Sequence, residues 1–176
     1  MKHLLFFILT TIFTLNASAV VEKACHGDQD HEMRLWKYRA AVEADKLILN
    51  VRENLARNDL TFNQRRKLHV SGNILHCARR KLGTLQFVCA DDLGDKAAKT
   101  YPIISNKVYV SDYAFGQARQ YQAALFLHEA THHCGTNDAA YFEGSKPDNV
   151  GFIGWQAIAD TYTYWVEHGF CIPPYC

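Results

Sequence analysis

The sequence predicts one α+β domain, mainly helical, with a small sheet and one buried helix in its second half. Three observations predict it. Two long amphipathic stretches come first, two short β-branched and aromatic runs follow, and helical signals then resume around a stretch apolar nearly all round. Helices, then strands, then helices is the order of an α+β domain. A chain of 176 residues, 48% hydrophobic and 21% charged, suits a single globular body. A net charge of +1 gives no basic footprint for nucleic acid and no pull toward an acidic partner.

Residues 1–19 read as an export signal. Lys2 and His3 give a short basic start, 4–15 form an apolar run broken only by threonines, and Ala17-Ser18-Ala19 fits the small-x-small cleavage pattern. The run is too short to span a membrane, which takes about 20 apolar residues. The expected mature chain is 20–176, a single exported, soluble domain, extracellular or periplasmic, with no membrane association and no sign of a stable partner copy. All six cysteines lie after the cleavage point. In an exported chain an even count reads as disulfides, and six cysteines allow fifteen pairings. Cys171 and Cys176, flanking a Pro-Pro stretch, pair with each other or pin the tail to the body. Each bridge adds roughly 2–4 kcal/mol by the chain-entropy argument.

The first helix is expected over 30–58. Met33, Trp36, Ala40, Leu47, Val51 and Leu55 recur near a 3.6 period with charges between them. Asn58-Asp59 breaks it. Thr61 followed by Gln64 fits a capping box, so a second helix starts there and runs to about Arg80, burying Leu68 and Leu75. Its basic residues (Arg65, Arg66, Lys67, Arg79, Arg80 and Lys81) read as a solvated face. Strands are expected at 85–89 and 107–111. The acidic run at 91–95 between them reads as a turn, because it lacks the spacing of a calcium loop.

A helix over 117–133 carries Ala118, Tyr121, Ala124, Leu125, Phe126 and Leu127, and is buried at its centre. It ends in His128-Glu129-Ala130-Thr131-His132, an H-E-x-x-H pattern. Residues four apart lie on one helix face, so the two imidazoles stand one above the other as a pair of zinc ligands. Buried polar groups need partners, and a zinc ion supplies one. Glu129 follows His128 by about 100° around the helix. It therefore leans beside the metal, where it can take a proton from a water on the ion and pass it to a leaving amine. Gly135 is placed where a left-handed residue closes the helix. A catalytic zinc takes three protein ligands, and the third must follow that turn. Asp138 stands in the right place, and Tyr141, three residues on, can face the same cavity as a hydrogen-bond donor to an oxyanion. His133 is read as a helix-end cation on terminal carbonyls. His26, His31, His69, His76 and His168 lack ligand spacing. The last helix is expected from Phe152, with Ile153, Trp155, Ile158, Tyr162 and Trp165 or Val166 inward and Gly169 as its end, and the loop 144–151 as a wall of the cleft.

Gly135-Thr136-Asn137-Asp138-Ala139-Ala140-Tyr141 reads G-T-x-D-x-x-Y. Together with H-E-x-x-H it resembles the aspzincin family, which includes deuterolysin and the peptidyl-lysine metalloendopeptidases. The resemblance implies a thermolysin-like zincin fold and a zinc metalloendopeptidase acting on protein or peptide substrates with one catalytic Zn²⁺. It implies His128, His132 and Asp138 as ligands, Glu129 as general base and Tyr141 as electrophilic helper. Ile158-Ala159-Asp160-Thr161-Tyr162 is similar to a later family segment, which makes Asp160 a substrate-binding residue for basic side chains after the scissile bond. Cys25 and Cys89 are similar to a pair bonded in the lysine-specific members. Three positions depart from the pattern: Phe142 stands for a glycine, the link from His132 to Gly135 is short, and Thr163 stands where those members carry a second acid.

The compact spacing also resembles metzincins, but these need a methionine after the motif, and no methionine follows Met33. Glu143 and Glu167 sit in no matching segment. Asp160 is the alternative third ligand, or a residue orienting a ligand histidine. The competing functions are an exported zinc amidase acting on cell-wall peptides and a zinc-stabilised binding domain without turnover.

Overall fold

In the computed structural model of the chain, residues 20–91, 93–142, 146–150, 152–173 and 176 are described. The expected signal at 1–19 lies outside them, as do Asp92, Glu143 and parts of the 144–151 loop.

Helix α1 (Gln29–Leu55) buries Met33, Trp36, Ala40, Ala41, Ala44, Leu47 and Val51, one stripe at helical spacing. It ends at Leu55, the last residue of that period and three short of the expected 58. Helix α2 (Phe62–Thr84) begins with the expected capping box. Gln64 N–H donates to Thr61 Oγ1 (3.2 Å), and Thr61 N–H donates to Gln64 Oε1 (3.0 Å). This satisfies two donors that the helix start would otherwise leave orphaned. Helix α2 runs a turn past the expected end because Leu82 is buried against the core. Its basic face is largely paired locally: Arg79 meets Asp45 (2.9 Å), and Arg65 donates to the Leu55 and Arg57 carbonyls.

The sheet has strands β1 (Gln86–Cys89), β2 (Ala98–Thr100) and β3 (Lys107–Val110), in the order β1-β3-β2. Strand β1 pairs parallel with β3, and β2 pairs antiparallel with it. Strand β2 was not expected; three residues of Ala-Lys-Thr carry no periodic signal, and β3 alone makes them a strand. Residues 20–23 lie along the outer edge of β1, with Lys23 N–H donating to the Cys89 carbonyl (3.0 Å). Lys23 also pairs with Asp112 (2.6 Å) at the start of the short helix α3 (Asp112–Phe115), a second element without a sequence signal.

Helix α4 (Arg119–His132) is the centre of the molecule and touches α1, α2, β2 and α5 (Asp160–His168). Phe126, fully buried, stacks on Phe87 (centroids 3.8 Å) and meets Trp36 edge-on (5.5 Å). The final helix is a correction. Only Trp155–Ala157 form a 3-10 turn, and Ile158 is extended, before α5 begins at Asp160. The reason is tertiary: Asn137 and Ile158 form an isolated parallel bridge, which helical geometry at Ile158 would break. Helix α5 ends at Gly169, whose φ of +95° suits a residue without Cβ.

Three disulfides join Cys25–Cys89, Cys77–Cys134 and Cys171–Cys176. They tie the N-terminal segment to β1, helix α2 to the turn after α4, and the tail to itself, and they fit an extracellular protein. No helix among the described residues is long and apolar enough to cross a membrane.

Candidate metal centre

The last two turns of α4 deliver His128 and His132 to a cleft of about 550 Å³ between β2 and α5. His128 and Glu129 are only 7% and 5% exposed. The chain then reverses through Gly135, whose φ of +94° is accessible to glycine and strained for any residue with a Cβ. Thr136 N–H donates to the Thr131 carbonyl (3.3 Å), and the Thr136 hydroxyl donates to Thr131 Oγ1 (2.9 Å). Asn137 Oδ1 accepts the Ala139 N–H (2.9 Å), which bends the chain around Asp138.

This turn aims Asp138 back at the helix. Its Oδ1 lies 3.1 Å from His128 Nε2 and 3.1 Å from His132 Nε2. All three ligand atoms fall within 4.8 Å of one another. Donors about 2.0–2.1 Å from one tetrahedral zinc stand roughly 3.3 Å apart, so this nitrogen-nitrogen-oxygen set fits that ion. The opposite ring nitrogens are held from behind. His132 Nδ1 lies 3.3 Å from the Thr136 carbonyl, and His128 Nδ1 lies 3.1 Å from Thr163 Oγ1.

Charge is unevenly shared in the cluster. The two histidines beside Asp138 hold its carboxyl far below the usual carboxylate range. Burial pulls His132 down, but the bond to Asp138 and the charge of Glu129 outweigh it and raise the imidazole. Burial pushes Glu129 up, against the two histidines and with the help of Asp138. Glu129 accepts no hydrogen bond from the described residues, and its carboxyl lines the cleft beside the histidines. Tyr141 lies with its ring parallel to that of His128 (6.4 Å, 11°). Partial burial in the cleft and the neighbouring Asp138 push its phenol up to about 12.

Asp160, at the start of α5, also reaches the cleft. One oxygen accepts the Phe142 N–H, and the other lies 3.9 Å from His128 Nδ1. It approaches the back of that ring and stands outside the cluster of His128, His132 and Asp138. His133 is a correction. Its Nε2 meets Thr100 Oγ1 (2.7 Å) on β2, and burial lowers its pKa, so it is a neutral link to the sheet and not a helix-end cation. Part of the loop expected as a wall, 144, 145 and 151, lies outside the described residues. Its described part, 146–150, faces α2, where Asn149 accepts from Lys67 and from the Trp155 N–H. One wall is β2, with Ala98 and Thr100 in the lining. Glu167 and His168 also line the cleft, although Glu167 sits in no matching segment and His168 has no ligand spacing.

The architecture is an α+β fold similar to that of a zinc peptidase. The particular likeness is to the zinc peptidase from Grifola frondosa, with a TM-score of 0.68 over 86% of this chain and 100% of that one, at 14% identity. The sequence itself matches no protein-family model and no curated protein.

Proposed function

We propose that this chain is an exported zinc metalloendopeptidase of the aspzincin type, cleaving protein or peptide substrates. One observation carries the reading: His128 Nε2, His132 Nε2 and Asp138 Oδ1 converge within 4.8 Å in the same cleft as Glu129 and Tyr141. His128, His132 and Asp138 are the residues that would hold the ion. Zinc bound there supplies Lewis acidity toward water and a carbonyl oxygen.

The chain's own groups do the rest. Glu129, buried and accepting no competing hydrogen bond from the described residues, takes a proton from the attacking water and hands it to the leaving amine. Its burial raises its pKa and makes it a stronger base than an exposed carboxylate. Tyr141 stays protonated at neutral pH and donates to the oxygen that gains charge as the carbonyl is attacked. A domain that only bound zinc for stability would need neither group. Asp160 and Glu167 place two acids on the α5 side of the cleft, which supports a preference for basic side chains after the scissile bond. The three disulfides support export.

The test is metal content and proteolysis of residues 20–176. We expect one zinc per chain and cleavage of an unfolded protein that stops on chelation. Glu129→Ala keeps zinc and loses cleavage, whereas Asp138→Ala loses zinc. Equal cleavage by Glu129→Ala sinks the mechanism. Zinc loss in Asp160→Ala with retention in Asp138→Ala moves the third ligand. Hydrolysis of cell-wall peptides in place of proteins redirects the same chemistry to the amidase reading.

A further inference from the structure

We infer that Thr163 is a positioning residue, whose hydroxyl holds the His128 ring so that Nε2 faces the metal. The inference rests on the zinc reading above. A ligand imidazole needs its second nitrogen anchored, since that bond fixes both the ring's orientation and which nitrogen carries the proton. His132 has a main-chain anchor, the Thr136 carbonyl, which can only accept and so keeps a proton on Nδ1. His128 depends on a side chain. Thr163 Oγ1 lies 3.1 Å from its Nδ1, and Asp160 Oδ1 lies 3.9 Å from the same nitrogen. A zinc ion on Nε2 would take that nitrogen's lone pair and leave the proton on Nδ1, so Nδ1–H would donate and the Thr163 hydroxyl accept.

The helix supplies the geometry. Asp160 and Thr163 are three residues apart on α5 and share the face packed against α4. Thr163 is half-buried, and its β-branched side chain has few rotamers in a helix, so the hydroxyl is held with little freedom. A neutral hydroxyl also anchors the ring without adding a charge to a cleft that already holds Glu129, Asp138 and Asp160. In sequence Thr163 shows only as a missing acid. In the structure it touches a ligand.

The test compares Thr163→Val, which keeps shape and loses the oxygen, with Thr163→Ser, which keeps the oxygen. Zinc affinity is read on the mature chain by competition with a chromophoric chelator. We expect Thr163→Val to bind zinc about 10- to 100-fold more weakly and Thr163→Ser to stay within about threefold of wild type. A second readout uses zinc-loaded protein: the His128 Nδ1–H resonance is protected from exchange in wild type and Thr163→Ser, and lost in Thr163→Val. A Thr163→Val chain that binds zinc like wild type overturns the inference while the zinc reading stands. Equal weakening in both variants overturns it too, since the methyl and not the hydroxyl would then matter. A wild-type chain that binds no zinc sinks the zinc reading and this role with it.

Discussion

Asn137 and Ile158 are joined by a single parallel bridge: Asn137 N–H donates to the Ala157 carbonyl (3.0 Å), and its own carbonyl accepts the Ala159 N–H (2.9 Å). Asn137 precedes Asp138, and Ala159 precedes Asp160. One pair of main-chain bonds therefore sets the turn that carries Asp138 against the helix that carries Asp160 and Thr163. The helix bearing the two histidines, the returning turn and the far wall of the cleft share one frame.

That frame depends on the backbone at Gly135. No neighbour among the described residues blocks a Cβ there, so the cost of Gly135→Ala is conformational. Forcing a side chain to a φ of +94° costs roughly 1–2 kcal/mol. We expect zinc affinity to fall about 10-fold, as Asp138 leaves its place, with helix content unchanged by circular dichroism. Unchanged zinc affinity would show that the turn tolerates another path.

Cys134 lies between His132 and Asp138 and is bonded to Cys77 on α2. The two cysteines are 57 residues apart in sequence, and the chain-entropy model gives about 4 kcal/mol for closing such a loop. Replacing both by serine should lower the melting temperature by roughly 10 °C. Zinc affinity should fall as well, because the turn loses an anchor. The Cys171–Cys176 bridge closes a far shorter loop, so its removal should cost about 2 kcal/mol and leave zinc binding alone. Calorimetry of the two double variants, with and without zinc, checks both statements.

The parts of this molecule legible in sequence are those set by neighbours along the chain. The two histidines of α4 follow from a spacing of four, the start of α2 from Thr61 and Gln64, and the helix ends at Gly135 and Gly169 from a single residue type. The parts that were hidden are set by distant partners. Strand β2 exists because β3 lies beside it, and the break before α5 because Asn137 pairs with Ile158. His133 turns to Thr100, and Cys134 to Cys77, across separations no local pattern encodes.

Stability and chemistry should separate cleanly at two positions. Phe126 is fully buried against Trp36 and Phe87, so Phe126→Ala should cost about 3–5 kcal/mol. Thr61→Ala removes the acceptor for Gln64 N–H at the start of α2 and should cost about 1 kcal/mol. Urea unfolding measures both. Thr61→Ala should retain full cleavage of a peptide substrate at 25 °C.

Asp160 makes a prediction about substrate choice. Asp160→Asn keeps an oxygen to accept the Phe142 N–H and removes only the charge. A hydrogen bond to a charged group contributes about 1.5–3 kcal/mol. For paired peptides with lysine or leucine after the scissile bond, kcat/KM for the lysine peptide should fall about 10- to 100-fold, with the leucine peptide little changed. An equal fall for both peptides would place Asp160 in support of His128 alone.

Tyr141 separates binding from rate. Its phenol is kept protonated, with a pKa pushed up to about 12, so at neutral pH it can donate throughout the reaction. A carbonyl oxygen gains most of its charge only as the water attacks, so the hydrogen bond strengthens in the transition state and is weak in the bound substrate. Tyr141→Phe keeps the ring parallel to His128 and removes only the donor. Loss of one such donor costs about 10²–10³ in kcat. We expect that fall in kcat with KM within about threefold, zinc content unchanged, and melting temperature within a few degrees, since Tyr141 is 55% exposed and contributes little to the core. A rise in KM with kcat preserved would make Tyr141 a substrate-binding group and remove it from the chemical step.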